Sequence, residues 1–313
     1  MEFELLLCLT MIIVTFVGAY ILKKTQPGQV DEWERVKGTM TKGDYYFKKN
    51  IEDILLNGDS DKDPRPKWHD GTPAHTLFTT QRIETYDISK GECPLTTVKP
   101  TAWKSAINEM FVIYQEQSSS LEAFHKHKVM WWDEWESNDI PGTIGNRYGY
   151  VVKKYDLINK LIQELKEDPY GRRHNMNLNQ YVDLESSDGL HSCAYETLWS
   201  VRDGGYLDCT LIQRSNDVCC AYDVNNVQYV ALLMMIAKAS GLKPGVFTRF
   251  IQNMHIYDRH VEVAKEYLNR EPVSPNARLV FEPKSDNFYK FTIDDFRVEG
   301  YEPHKRLKTE LAI

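Results

Sequence analysis

The sequence predicts an α+β domain built on a large sheet, and three observations carry that prediction. Residues 75–88 read as a strand, and residues 198–215 read as two strands around the turn Asp203-Gly204-Gly205. Residues 227–241 are apolar nearly all round, the pattern of a helix buried at the centre of a domain. Other segments show one apolar stripe at helical spacing, which suits helices packed on a sheet. Of 313 residues 42% are hydrophobic, enough apolar material for one large domain. Beyond the first two dozen residues no Pro/Gly/Ser-rich linker, repeat or low-complexity tract divides it.

Taken in order, residues 5–22 form a charge-free apolar run of about the length that spans a bilayer. Glu2 and Glu4 precede it, so it lacks the basic start of a secretory signal. Lys23 and Lys24 follow it, and the positive-inside rule puts the rest of the chain on the cytoplasmic side. Residues 1–24 are therefore expected to be a hydrophobic helix that anchors the chain to a membrane. Residues 25–43 are polar and read as a linker, which leaves 44–313 as the catalytic domain. That domain opens with an amphipathic helix over 44–57, ended by Gly58. A loop rich in Asp, Pro and Gly follows over 59–76. After the strand at 75–88 comes a helix over 102–115 with its stripe at Ile107, Met110, Phe111 and Tyr114. Further helices are expected over 154–167 and 258–270.

A formal net charge of -7 excludes a broad nucleic-acid-binding surface but leaves room for a local anion clamp. The six cysteines are Cys8, Cys93, Cys193, Cys209, Cys219 and Cys220. None forms a CxxC pair, so no metal site is expected. A chain this long needs no disulfide staples, so free thiols are the simpler reading.

A lone cysteine is by default a small buried hydrophobe, and Cys193 in His191-Ser192-Cys193-Ala194 starts from that reading. The segment Gln213-Arg214-Ser215-Asn216-Asp217 changes the odds. Arg214 and Ser215 together can grip a phosphate, and a guanidinium lowers the pKa of a nearby thiol. The bland alternative for Arg214 is a surface pair with Asp217. Arg172 and Arg173 form either a solvated basic patch or a double fork for one phosphate. Arg65, between Pro64 and Pro66, is another candidate on a stiff loop.

With these segments in place, the sequence resembles the thymidylate synthase family over about residues 44–313. The matching segments stand in the family's order. Arg65 with Asp70-Gly71-Thr72 comes first, then Pro94-Leu95-Thr96-Thr97, then Glu109 in Ala106-Ile107-Asn108-Glu109. Trp132-Asp133-Glu134-Trp135, Gly145 with Tyr148-Gly149, and Arg172-Arg173-His174 follow. Cys193, the Gln213–Asp217 segment, Asn225 and His255-Ile256-Tyr257 come next. The chain closes on Phe296, Glu299-Gly300-Tyr301 and Leu311-Ala312-Ile313.

The resemblance implies a large twisted mixed sheet flanked by helices, and a homodimer packed sheet to sheet. It implies reductive methylation of dUMP to dTMP with 5,10-methylenetetrahydrofolate as co-substrate and no metal. Cys193 would be the nucleophile, activated by Arg214. Arg65, Arg214, Ser215 and the partner subunit's Arg172 and Arg173 would hold the phosphate. His255 and Tyr257 would hold the sugar hydroxyl, and Asn225 would read uracil by donating to O4 and accepting from N3–H. Glu109 would relay protons as general acid, and Tyr148 would sit near the departing C5 proton. Asp217 would hold the pterin, Trp132 would line its face, and Ile313 would close the lid.

The chain departs from the family pattern beside the site. Ser192 stands where proline is usual, Ala221-Tyr222-Asp223-Val224 replaces Gly-x-Pro-Phe, and Gln252-Asn253 replaces Gly-Asp. Asp223, two residues from Asn225, leaves the register of the base-reading residue open. These changes admit a dUMP hydroxymethylase, in which water replaces hydride and tetrahydrofolate leaves unoxidised. A third reading, of another class, is a tethered inactive homologue that only binds nucleotide or a partner. Trp132, Trp135 and the Leu-Ala-Ile end favour water exclusion and hence methylation.

Overall fold

The computed structural model describes residues 31–313. The expected anchor over 1–24, and the first part of the expected linker, lie outside the described residues. Among the described residues no helix is long and apolar enough to cross a membrane. The chain divides into two compact units, Met1–Lys37 and Gly38–Ile313. The described part of the first is a short helix, α1 (Glu32–Val36), where a linker is expected. Asp31 caps it by accepting from the Trp33 N–H.

The second unit carries the domain. Helix α2 (Lys42–Asn57) starts two residues ahead of the expected 44 because the Thr41 hydroxyl accepts from the Asp44 N–H and caps it. Phe47, Ile51 and Ile54 line its buried face. Strand β1 (Asp59–Ser60) is a two-residue edge to β2 (Thr76–Asp87). Helix α3 (Trp103–Met110) carries the expected apolar stripe but passes into a π-helical turn over Phe111–Glu116. After α4 (Leu121–Lys126), the single helix expected over 154–167 is two helices, α5 (Gly149–Tyr155) and α6 (Leu157–Glu167). They break at Asp156, whose φ of 53° is left-handed. Asp tolerates that conformation as a single residue, so the apolar spacing runs on across the break.

Strand β3 (Asn175–Asn177) and helix α7 (Tyr181–Leu184) lead to the expected hairpin of β4 (Ala194–Arg202) and β5 (Tyr206–Gln213). Gly204 and Gly205 turn it at φ of 82° and 74°, values that disfavour other residues. Strand β6 (Asn216–Asp217) precedes the central helix α8 (Tyr222–Ala239), which is buried on nearly every side as its composition predicts. Strand β7 (Lys243–Tyr257) is not foreseen by the sequence pattern. Helix α9 (Val261–Asn269) occupies the interior of the expected 258–270, after a 3₁₀ turn. Strands β8 (Arg278–Phe281) and β9 (Phe296–Glu299) form a separate ribbon.

The main sheet runs β1-β2-β7-β5-β4-β3, with β6 also paired to β7. Strand β7 is antiparallel to β2 and parallel to β5 and β6, so the sheet is mixed as expected. Its two faces differ. Helices α2 and α8 cover one face, where Tyr86, Leu207, Leu211, Phe247 and Ile251 are all buried. The same face holds a buried ion pair between register partners Glu84 and Arg249 at 3.1 Å. On the other face Ile83 is 63% exposed and Leu198 44% exposed, with Ile212 and Phe250 only half-buried.

Candidate active site

The site gathers where β4 begins and β5 ends. Ala194 and Gln213 are register partners, which brings Cys193 beside Arg214. The Arg214 N–H donates to the Cys193 carbonyl at 2.8 Å. Its guanidinium donates to the Ser192 carbonyl (3.2 Å), the His191 carbonyl (2.6 Å) and Cys193 Sγ (3.3 Å). It therefore forms no surface pair with Asp217. Burial pushes the Cys193 thiol up, while Arg214 and Arg65 pull it down. Burial prevails in the single chain. Of the other cysteines, Cys93, Cys209, Cys219 and Cys220 are free and Cys8 lies outside the described residues.

Tyr148 sits over the nucleophile. Its hydroxyl accepts from the Cys193 N–H at 3.2 Å. The residue holds a φ of 47° and ψ of -106°, a strained backbone for a side chain of this size. The next residue must be glycine, because a Cβ on Gly149 would lie 2.1 Å from the Ser118 carbonyl oxygen. Trp132 meets the Tyr148 ring edge to face at 5.1 Å and lies 5.9 Å from Trp135.

Trp132 also leads to Glu109. Its indole N–H donates to Glu109 Oε1 at 3.0 Å, while Trp131 and Gln228 donate to Oε2 at 2.8 Å each. Burial pushes the Glu109 carboxyl up to about 7, against the pull of these three donors. A carboxyl near neutrality can both give and take a proton under physiological conditions.

From Gln228 the network runs to Asn225. Asn225 Nδ2 donates to Gln228 Oε1 at 2.9 Å. Asn225 Oδ1 accepts from Gln213 Nε2 at 2.9 Å and Asn216 Nδ2 at 3.1 Å. Gln213 in turn accepts from Arg249, held by Glu84. Asp223 points away from the network and pairs with Lys99 at 2.6 Å, with both side chains buried.

His255 and Tyr257 come from the end of β7, where Asp217 and His255 are register partners. Asn253 holds His255 Nδ1 at 2.9 Å, and burial lowers the imidazole pKa. Tyr257 packs edge to face on His255 and on Trp68. Ser215, half-buried, offers its carbonyl to Gln213 at 3.0 Å. The Asp217 carboxylate accepts from the Cys219 and Cys220 N–H groups. The C-terminal Ile313 exchanges two backbone hydrogen bonds with Lys67, two residues from Arg65. Arg65, Arg172 and Arg173 are exposed. His174 anchors the Arg172-Arg173 turn by reaching the Asp168 carbonyl at 2.9 Å. Among the described residues neither arginine forms a hydrogen bond or ion pair.

Three comparisons bear on this arrangement. The family model described as thymidylate synthase matches residues 45–313. The chain belongs to the thymidylate synthase family. A thymidylate synthase of Streptococcus pneumoniae (strain 70585) is 50% identical over 280 residues, which is 88% of this chain and 100% of that protein. One from Streptococcus gordonii is 47% identical over the same share of each chain. The solved structure of thermostable thymidylate synthase A from Bacillus subtilis aligns with a TM-score of 0.80 at 35% identity. It covers 86% of this chain and 99% of that one. The thymidylate synthase family uses methylenetetrahydrofolate as co-substrate and needs no metal for the reaction. Membership does not favour the hydroxymethylase or the inactive homologue.

The sequence reading overlooked Trp131, Gln228 and the Glu84–Arg249 pair, and gave Gln213 no role of its own. Gln228 had a signal, since it lies three residues after Asn225 and so on the same helix face. The pair had none, because a charge in a strand reads as solvent-facing.

Proposed function

We infer that this chain is a thymidylate synthase that methylates dUMP at C5 and oxidises the folate to dihydrofolate. The observation that carries the reading is the hydrogen-bonded run Asn225–Gln228–Glu109 ending beside Tyr148 and Cys193. It links a base-reading amide to a proton-relaying carboxyl and a nucleophile. The Cys193 thiolate adds to uracil C6, which makes C5 carbanionic. C5 attacks the methylene carbon of the folate, and Glu109 moves protons at O4 and at the folate nitrogen. After C5 loses its proton near Tyr148, tetrahydrofolate leaves and returns hydride to the exocyclic methylene, which gives the methyl group and dihydrofolate, and the C6–Sγ bond breaks to free dTMP and the Cys193 thiolate. Both lone pairs of Asn225 Oδ1 are engaged in the free chain, so uracil N3–H replaces the longer donor, Asn216. Asp217 and Trp132 contact the pterin, and His255 and Tyr257 the ribose.

Arg65, Arg214 and Ser215 receive the phosphate, and Arg172 and Arg173 reach it from a partner subunit. Two features support a homodimer: Arg65, Arg172 and Arg173 lack partners among the described residues, and the open sheet face carries Ile83 and Leu198. The domain over 44–313 carries the activity. A tether through residues 5–22, with the domain on the cytoplasmic side, rests on the sequence of that run alone.

The test is to feed dUMP and methylenetetrahydrofolate and measure both products. dTMP and dihydrofolate should appear one for one. Hydroxymethyl-dUMP with unoxidised tetrahydrofolate would instead establish the hydroxymethylase.

A further inference from the structure

Asp217 and Cys219, from one segment, meet His260 from another part of the fold. Asp217 ends β6, Cys219 follows two residues later, and His260 caps α9. One ligand atom from each lies within 4.8 Å of the other two. Cys219 and His260 are 1% and 2% exposed. Neither ring nitrogen of His260 has a hydrogen-bond partner. A buried imidazole must satisfy at least one N–H, so this ring calls for a ligand or water that the described residues do not supply. Its flanks are aromatic, with Trp68 at 5.5 Å and Tyr257 at 6.0 Å, and neither offers the ring a polar atom. The Trp68 indole N–H is committed to Asp258.

We propose that Asp217, Cys219 and His260 form a binding site for one zinc ion, with water in the fourth position. The donor set is one carboxylate oxygen, one thiolate sulfur and one imidazole nitrogen. Zn²⁺ takes this mixture tetrahedrally, with bonds of about 2.0–2.3 Å, which puts ligand atoms roughly 3.3–3.8 Å apart. The side chains need to close by about an ångström from where they stand. Mg²⁺ and Ca²⁺ want all-oxygen shells and are disfavoured by the sulfur and nitrogen. On binding, Cys219 loses its thiol proton to solvent, and the carboxylate and thiolate together neutralise the ion. The Cys219 and Cys220 N–H groups, both on Asp217 Oδ1, orient the carboxylate for this. Asp217 and Cys220 are half-buried, so an ion enters from their side. Lys99 lies close by, but Asp223 already neutralises it.

The ion is not a cofactor of methyl transfer. On the reading of Asp217 as the pterin contact, it competes with folate and is an inhibitory site. The binding claim stands apart from that reading. The test uses the purified full chain, stripped with chelator and titrated with Co²⁺ as a spectroscopic stand-in for Zn²⁺. One equivalent should give tetrahedral cobalt bands with a thiolate charge-transfer band, and Zn²⁺ should displace them. Cys219→Ala and His260→Gln should each lose the charge-transfer or tetrahedral signature, while Cys193→Ser keeps both. Circular dichroism identifies any variant that does not fold, and the other then decides. Loss of the signal in Cys193→Ser with retention in His260→Gln would place the metal on the nucleophile and overturn the site. Absence of a thiolate band at one equivalent would also overturn it. If the bands appear but Zn²⁺ leaves the KM for the folate unchanged, the zinc site stands and the pterin role of Asp217 falls.

Discussion

Around Asn225 the side chains are tied to one another inside the chain, whereas Arg65, Arg172 and Arg173 stand exposed. The first region runs from Glu84 and Arg249 through Gln213, Asn225 and Gln228 to Glu109, mostly buried and held by direct hydrogen bonds. In the second region Arg214 alone is held in place, by the His191 and Ser192 carbonyls. The other arginines form no hydrogen bond or ion pair among the described residues. On the proposed function the base-reading half is thus prepared before substrate arrives, which lowers the ordering cost at binding. On the same proposal a ligand and a second subunit complete the phosphate half. Groups whose orientation sets the chemistry are built into the core, and groups that supply charge are left at the rim.

Breaking the junction of the two halves should have the largest effect. Cys193→Ser is expected to lower kcat on the order of 10⁴-fold or more while dUMP still binds, since a hydroxyl is a far weaker nucleophile. Near-parental turnover in that variant would remove Cys193 from its role. Within the prepared half, Glu109→Gln should cost roughly 10²–10⁴-fold in kcat with little change in KM for dUMP, the signature of a lost proton relay. A purely raised KM would make Glu109 a binding residue.

The same substitution has a stability consequence. Glu109 is held at about 7 in the folded chain against an ordinary 4.5. The folded state therefore binds this proton more tightly than the unfolded one. That stabilisation is full below about pH 4.5 and is lost as pH rises through 7. It amounts to about 3 kcal/mol for a group this buried. Urea unfolding should show the parent losing about that much more stability than Glu109→Gln between pH 4.5 and 8. Parallel pH profiles would mean that the carboxyl is not raised by burial. In the rim half, Arg173→Ala should weaken dUMP only about tenfold and steepen no pH dependence, as an exposed charge is worth little by itself. A kcat loss without a KM change would contradict a simple phosphate contact.

The contrast also marks what the sequence made legible. The central helix, the hairpin at Gly204-Gly205 and the strand at β2 followed from periodicity and turn residues. Cys193, Glu109, Arg214 and Asn225 came through the family's ordered motifs, and in the structure Tyr148, Trp132 and Gln228 connect them. Strand β7 escaped because it opens on Lys243-Pro244-Gly245 and places Arg249 on its buried face. The sequence cannot signal that Glu84, the register partner on β2, neutralises that charge. The break at Asp156 escaped because one left-handed residue leaves the apolar spacing intact. The Lys99–Asp223 pair needed coordinates, since nothing in the sequence puts Lys99 opposite that carboxylate.

The central claim is that one chain builds the base-reading half and a second subunit completes the phosphate half. Subunit complementation tests it most directly. Chains carrying Arg172→Ala and Arg173→Ala together are mixed with chains carrying Cys193→Ser under conditions of verified subunit exchange. In the heterodimer one pocket receives both lesions and the other receives none. Measured at a dUMP concentration well below the raised KM of the double arginine variant, where both parents show little activity, the account predicts recovery of up to one working site per heterodimer. No recovery in verified heterodimers would mean that Arg172 and Arg173 serve their own chain's pocket, or none.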